Sequence, residues 1–133
     1  MKAYFALITL LFVLGFYFFP IAECSGAIYY IRADGGDSAQ CTGNTNAAYP
    51  GSGSNQACAL SHPFYLLDTS GNWKIQGGDT VFIGPGSYMM GYGAPNTNSW
   101  CDAAGAFACH LPSLPSGDEN NPTRILGSGW DSG

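Results

Sequence analysis

Two carboxylates three residues apart, Asp34 and Asp37, offer hard oxygen ligands of the kind Ca²⁺ takes. They sit in Arg-Ala-Asp-Gly-Gly-Asp, and Asp in a tight glycine-rich turn ordinarily accepts hydrogen bonds from its own backbone. The turn reading is therefore preferred to a metal. Asp79, in Gly-Gly-Asp-Thr-Val, is placed to accept turn N–H groups in the same way, and a structural role outweighs a catalytic one. Cys101, Cys109 and His110 are zinc-type ligands, but they lack close cysteine spacing and a fourth partner. His62 directly precedes Pro63. The tyrosines, Trp100 and Trp130 have the flat apolar faces that stack on sugar rings, although such aromatics more often serve as half-buried packing. The glycine-rich segments lack the Lys and following helix of a phosphate loop. No catalytic set, metal centre or cofactor site is assembled by these residues.

The cysteines carry the plainest chemistry. The chain opens with a single basic residue, Lys2, followed by an almost wholly apolar run over residues 3–19, then Pro20 and the small residues Ser25, Gly26 and Ala27. This is the pattern of a cleaved secretory signal over residues 1–27. The rival is an uncleaved anchor, because the apolar run approaches the roughly 20 residues that span a bilayer. Cys24 raises a lipoprotein reading, which Glu23 disfavours because a small residue belongs there. Either route places the protein outside the cytoplasm, secreted, periplasmic or at a cell surface. Cys41, Cys58, Cys101 and Cys109 remain, and an even count behind an export signal favours disulfides. Three pairings exist. Cys41 with Cys58 and Cys101 with Cys109 are expected, since each pair brackets a loop rich in Gly, Asn, Ser and Ala with little apolar content to hold it. Each bridge is worth about 2–4 kcal/mol through restriction of the unfolded chain.

Charge narrows the partners. Beyond the leader, Arg32, Lys74 and Arg124 stand against eight acidic residues, and the whole chain carries a formal net charge of −5. A polyanionic phosphate backbone is repelled by that balance, and no basic cluster offsets it, which excludes nucleic acid. Only 10% of residues are charged while glycines number 19, a composition that favours turns, strands and long loops over helices.

The elements that must position these residues are short. Residues 77–88 read Gly-Gly-Asp-Thr-Val-Phe-Ile-Gly-Pro-Gly-Ser-Tyr, in which turn signals bracket a β-branched and aromatic run over 80–83, the composition of a strand. Residues 27–32, Ala-Ile-Tyr-Tyr-Ile-Arg, predict a first strand that ends in a turn at 34–37. A polar loop follows over 38–58. Pro63 can start a helical turn, placing one at 64–67. Residues 73–76 are expected to be extended, 88–90 to form a further strand, 91–122 to be a long loop with four prolines, and 123–126 to form the last strand. One domain with a small core is the ceiling at this length.

Taken in order, Tyr30 to Asp37, Pro63-Phe64, Gly78 to Val81 and Pro85 to Tyr88 resemble the N-terminal segment of secreted right-handed parallel β-helix proteins of the pectin-lyase-like superfamily. The likeness covers most of the chain beyond the leader, and the two cysteine-bearing loops, 38–58 and 91–122, are longer than the family pattern. It implies an all-β fold: an N-terminal cap and first coil or coils of a parallel β-helix over 28–133, with Val81 stacked toward Ile125. The cap would come from the strand at 28–31 and the segment at 64–67. Because a coil buries its core only against neighbouring coils, the chain is expected to be part of a longer protein. The family comprises polysaccharide lyases and hydrolases, some using Ca²⁺, so the resemblance implies a protein that acts on or binds polysaccharide, with any active site downstream of residue 133. The alternative is a non-catalytic surface or adhesive β-helix that presents loops for binding.

Overall fold

The computed structural model describes residues 26–97 and 111–128. Three strands make one parallel sheet in chain order: β1 (Ile28–Gly36), β2 (Thr80–Ile83) and β3 (Arg124–Gly127). Ile28 to Ile31 pair with Thr80 to Ile83, and these in turn with Arg124 to Gly127, residue for residue. Parallel neighbours demand long crossovers. Among the described residues the crossovers are irregular chain, and the helical content is a single 3-10 turn over Pro63–Leu66. The described residues are thus strand and loop, as the glycine content predicts.

Alternation along the strands divides the sheet into two faces. One carries Tyr29, Ile31, Val81 and Ile83 into a core completed by Leu60, Leu66, Ile75 and the Cys41–Cys58 pair. The other carries Tyr30, Phe82 and Leu126, which are register partners across the three strands. A smaller cluster of Phe64, Leu67 and Ala94 packs against Trp73.

β2 falls on the expected residues, and β3 begins one residue later than the composition suggests. β1 runs on through Gly36, where a turn is expected from Asp34. The loop below it captures the backbone: Gly36 N donates to Ala59 O at 3.0 Å, and Leu60 bridges both Ile31 and Gly36. The turn starts instead at Asp37, whose Oδ1 accepts from Ala39 N and Gln40 N. The helical turn lies one residue earlier than expected because Pro63 takes its first position and the His62 side chain caps it. Residues 88–90 form no strand. Tyr88 folds back to donate its hydroxyl to Gly84 O, and the Met89 carbonyl is taken by the His62 ring, so this backbone turns to the 3-10 segment rather than the sheet. Of residues 73–76, Trp73 makes one antiparallel bridge to Leu67 and Ile75 is buried. β1, expected to contribute to a cap, is an edge strand paired with β2.

Gly77 and Gly78 show why β2 is entered through two glycines. A Cβ on Gly77 would run into the Ser116 carbonyl, and Gly78 has φ of 93° and its missing Cβ faces the Asn121 amide. The two segments that lead into β2 and β3 therefore lie in direct contact, and Gly78 N donates to Thr123 Oγ1 at 2.9 Å across that contact.

The Cys41–Cys58 disulfide is formed, with 5.1 Å between Cα atoms. The expected leader, apart from Gly26 and Ala27, lies outside the described residues, as do Cys101, Cys109, His110, Trp100 and Trp130. Among the described residues no helix is long and apolar enough to cross a membrane.

Candidate functional site

The outward face of the sheet holds an open concavity. It is a groove of about 770 Å³ whose walls include Tyr30, Arg32, Asp34, Asn46, Phe82 and Leu126. Strand register builds its floor. Tyr30 and Phe82 are Cα partners, and their rings lie 5.7 Å apart at an interplanar angle of 15°. Leu126 stands next in the same row. Such offset parallel rings are a favoured aromatic arrangement, and in a parallel sheet it follows from placing two aromatics at one register position. Phe82 stays 38% exposed, which leaves apolar surface in the open groove.

The polar wall follows from the period of two. Arg32 and Asp34 lie two and four residues beyond Tyr30, on the same face of β1. Arg32 donates Nε to Asp34 Oδ1 at 2.7 Å and Nη2 to Asp34 Oδ2 at 2.8 Å, a two-pronged ion pair. Its Nη1 donates to Asn46 Oδ1 at 3.1 Å. The hydrogen bonding between Arg32 and Asp34, more than the bare charge, holds the Asp34 carboxyl below the ordinary carboxylate range and raises the Arg32 guanidinium above its own. Burial, with the Asp34 charge nearby, pushes the Tyr88 hydroxyl up. Asn46 is delivered by the loop that the disulfide closes: Ala59 N donates to Ala47 O, and Tyr49 N donates to the Asp34 carbonyl. The staple and the site are therefore one structure.

The carboxylates considered as Ca²⁺ ligands are not brought together. Asp34 faces Arg32 and Asp37 caps its turn. No group of three or more His, Cys, Asp or Glu side chains is placed to hold a metal among the described residues. Asp79 accepts from Gln76 N and Ala27 N, both at 2.7 Å, tying the start of β1 to the turn before β2. Trp73 donates its indole N–H to Pro112 O. Asn46, Phe82 and the Tyr30–Phe82 pairing do not stand out as site residues in the sequence; the available signal is that residues 30 and 82 take equivalent places in two strands of one parallel sheet. Compared with known protein families, curated proteins and solved structures, the chain matches none.

Proposed function

We propose that this chain is an exported parallel β-helix module of the pectin-lyase-like type that binds polysaccharide along the outer face of its sheet. Three parallel strands in strict register support the β-helix reading, and a buried Cys41–Cys58 bridge suits an oxidising compartment outside the cytoplasm. The observation that carries the function is the row Tyr30–Phe82–Leu126 beside Arg32, Asp34 and Asn46. Apolar surface meets the C–H faces of a sugar, while the ion pair and amide meet its hydroxyls, the mixture that carbohydrate sites use. The groove's role is attachment. Glycoside hydrolysis requires carboxyl groups free to exchange a proton or attack, whereas both Asp34 oxygens here accept from Arg32. The module thus serves either a lyase or hydrolase whose reacting groups lie elsewhere, or an adhesive surface protein. Affinity electrophoresis of the purified, oxidised protein through gels containing different polysaccharides tests this. Retardation by at least one polymer, lost in Phe82→Ala, is expected; unchanged mobility in every gel would overturn the proposal.

A further inference from the structure

The groove's charges cancel within its own wall, and that selects among polymers. We infer that the ligand is an uncharged polysaccharide rather than a polyuronate, an inference that rests on the polysaccharide reading above. A polyanion needs cations that nothing else compensates. Arg32 is paired at both Nε and Nη2 with Asp34, so the wall presents zero net charge while keeping capacity for hydrogen bonds. Three of the five guanidinium N–H groups are used, counting the one to Asn46, which leaves donor capacity for a ligand; the Asp34 oxygens retain lone pairs that accept. A wall that both donates and accepts complements a hydroxyl, which does both. It does not complement a carboxylate, which only accepts and which Asp34 repels.

The other cations do not alter this. Lys74 turns its Nζ to the Tyr65 carbonyl at 3.0 Å. Arg124 shares the outer face of the sheet but stands two residues before Leu126, whereas Arg32 stands two residues after Tyr30. Since Tyr30 and Leu126 occupy one row, the two arginines flank it from opposite ends, roughly 13 Å apart along the strands. The formal net charge of −5 adds a long-range repulsion for any polyanion.

The test runs the oxidised protein through gels containing a β-glucan, a mannan, a xylan or polygalacturonate at low salt. Retardation by an uncharged polymer and none by polygalacturonate is expected. Equal or stronger retardation by polygalacturonate overturns the inference while leaving polysaccharide binding intact, and retardation by none of the four overturns both. Asp34→Ala strips the guanidinium of its counter-charge. That variant is expected to gain polygalacturonate affinity by about tenfold, with the gain abolished at high salt. Its fold is checked by circular dichroism, since the Asp34 main chain keeps its bond to Tyr49 N. A folded Asp34→Ala that still ignores polygalacturonate would show that the ion pair is not the selector. Arg124→Ala is expected to leave uncharged-polymer binding unchanged, and a loss there would move the site to the other end of the row.

Discussion

Val81 lies directly opposite Ile125 across the β2–β3 pair, yet Val81 is 1% exposed and Ile125 43%. Register makes them equivalent, and packing does not. Val81 is covered on both sides, by the strands and by Leu60, Leu66 and Ile75 beneath, whereas Ile125 sits on a strand with one described neighbour. Truncation should separate the two. Val81→Ala is expected to cost about 1.5–3 kcal/mol, the worth of a buried aliphatic side chain, and Ile125→Ala to stay below about 1 kcal/mol. Urea denaturation of both variants checks the ranking, and equal losses would contradict the difference in burial.

The Cys41–Cys58 bridge is expected to matter to binding as well as to stability. It closes a loop of 17 residues that presents Asn46 to Arg32. Removing it as Cys41→Ser/Cys58→Ser should cost about 3 kcal/mol from loop closure alone. The same loop supplies Tyr49 N to the Asp34 carbonyl, so the double variant should also weaken polysaccharide retardation under conditions where it remains folded. Thermal denaturation and affinity electrophoresis of one preparation measure both, and full binding by the bridge-less protein would uncouple the staple from the groove.

What could be read ahead of the structure was local. Residues 80–83 announce a strand because β-branched and aromatic residues stand between Gly, Asp and Pro turns, and Cys41 and Cys58 bracket a loop too polar to hold itself. What could not be read depended on contacts between distant segments. Nothing near Asp34 says that Ala59 will hold Gly36 in extended form, and nothing in Tyr88-Met-Met says that the Met89 carbonyl will be claimed by His62. The groove is the extreme case. Its ring pair joins residues 30 and 82, and Asn46 reaches it from a loop without hydrophobic period, so the site exists only once the register is fixed.

Asp79 is buried and accepts from two backbone donors on different segments, Ala27 N and Gln76 N. Asp79→Ala strands both N–H groups, at about 1–3 kcal/mol for each that water does not reach. Asp79→Asn keeps one carbonyl acceptor and should fall between the variant and the native protein. Hydrogen exchange localises the effect: the Gln76 amide should lose protection first, and the Ala27 amide with it in protein that retains residues 26 and 27. Protection unchanged in Asp79→Ala would mean that the carboxylate does not tie β1 to the turn before β2.

His62 gives the protein a pH dependence whose sign is fixed by its partners. Nδ1 accepts from Phe64 N and Nε2–H donates to Met89 O, both at 3.0 Å, so the ring is neutral with its proton on Nε2. Protonating Nδ1 removes the acceptor that caps the 3-10 turn. Burial among Phe64, Tyr65 and Tyr88 lowers the pKa from 6.5, outweighing the Met89 carbonyl, which favours the charged ring. The unfolded chain therefore takes up the proton first. The contribution of His62 is complete above pH about 6.5 and is lost as pH falls from there toward the folded-state value. Asp34 and Asp68 are lowered from 3.8, by hydrogen bonds from Arg32 and from the Asn72 backbone respectively, so their contributions fade only in more acidic solution than the window in which His62 acts. His62→Asn retains a cap acceptor without a titrating ring. Urea midpoints between pH 5 and 7 should fall with acidity in the native protein and stay nearly level in His62→Asn. Parallel slopes in the two proteins would mean that His62 remains as easily protonated folded as unfolded.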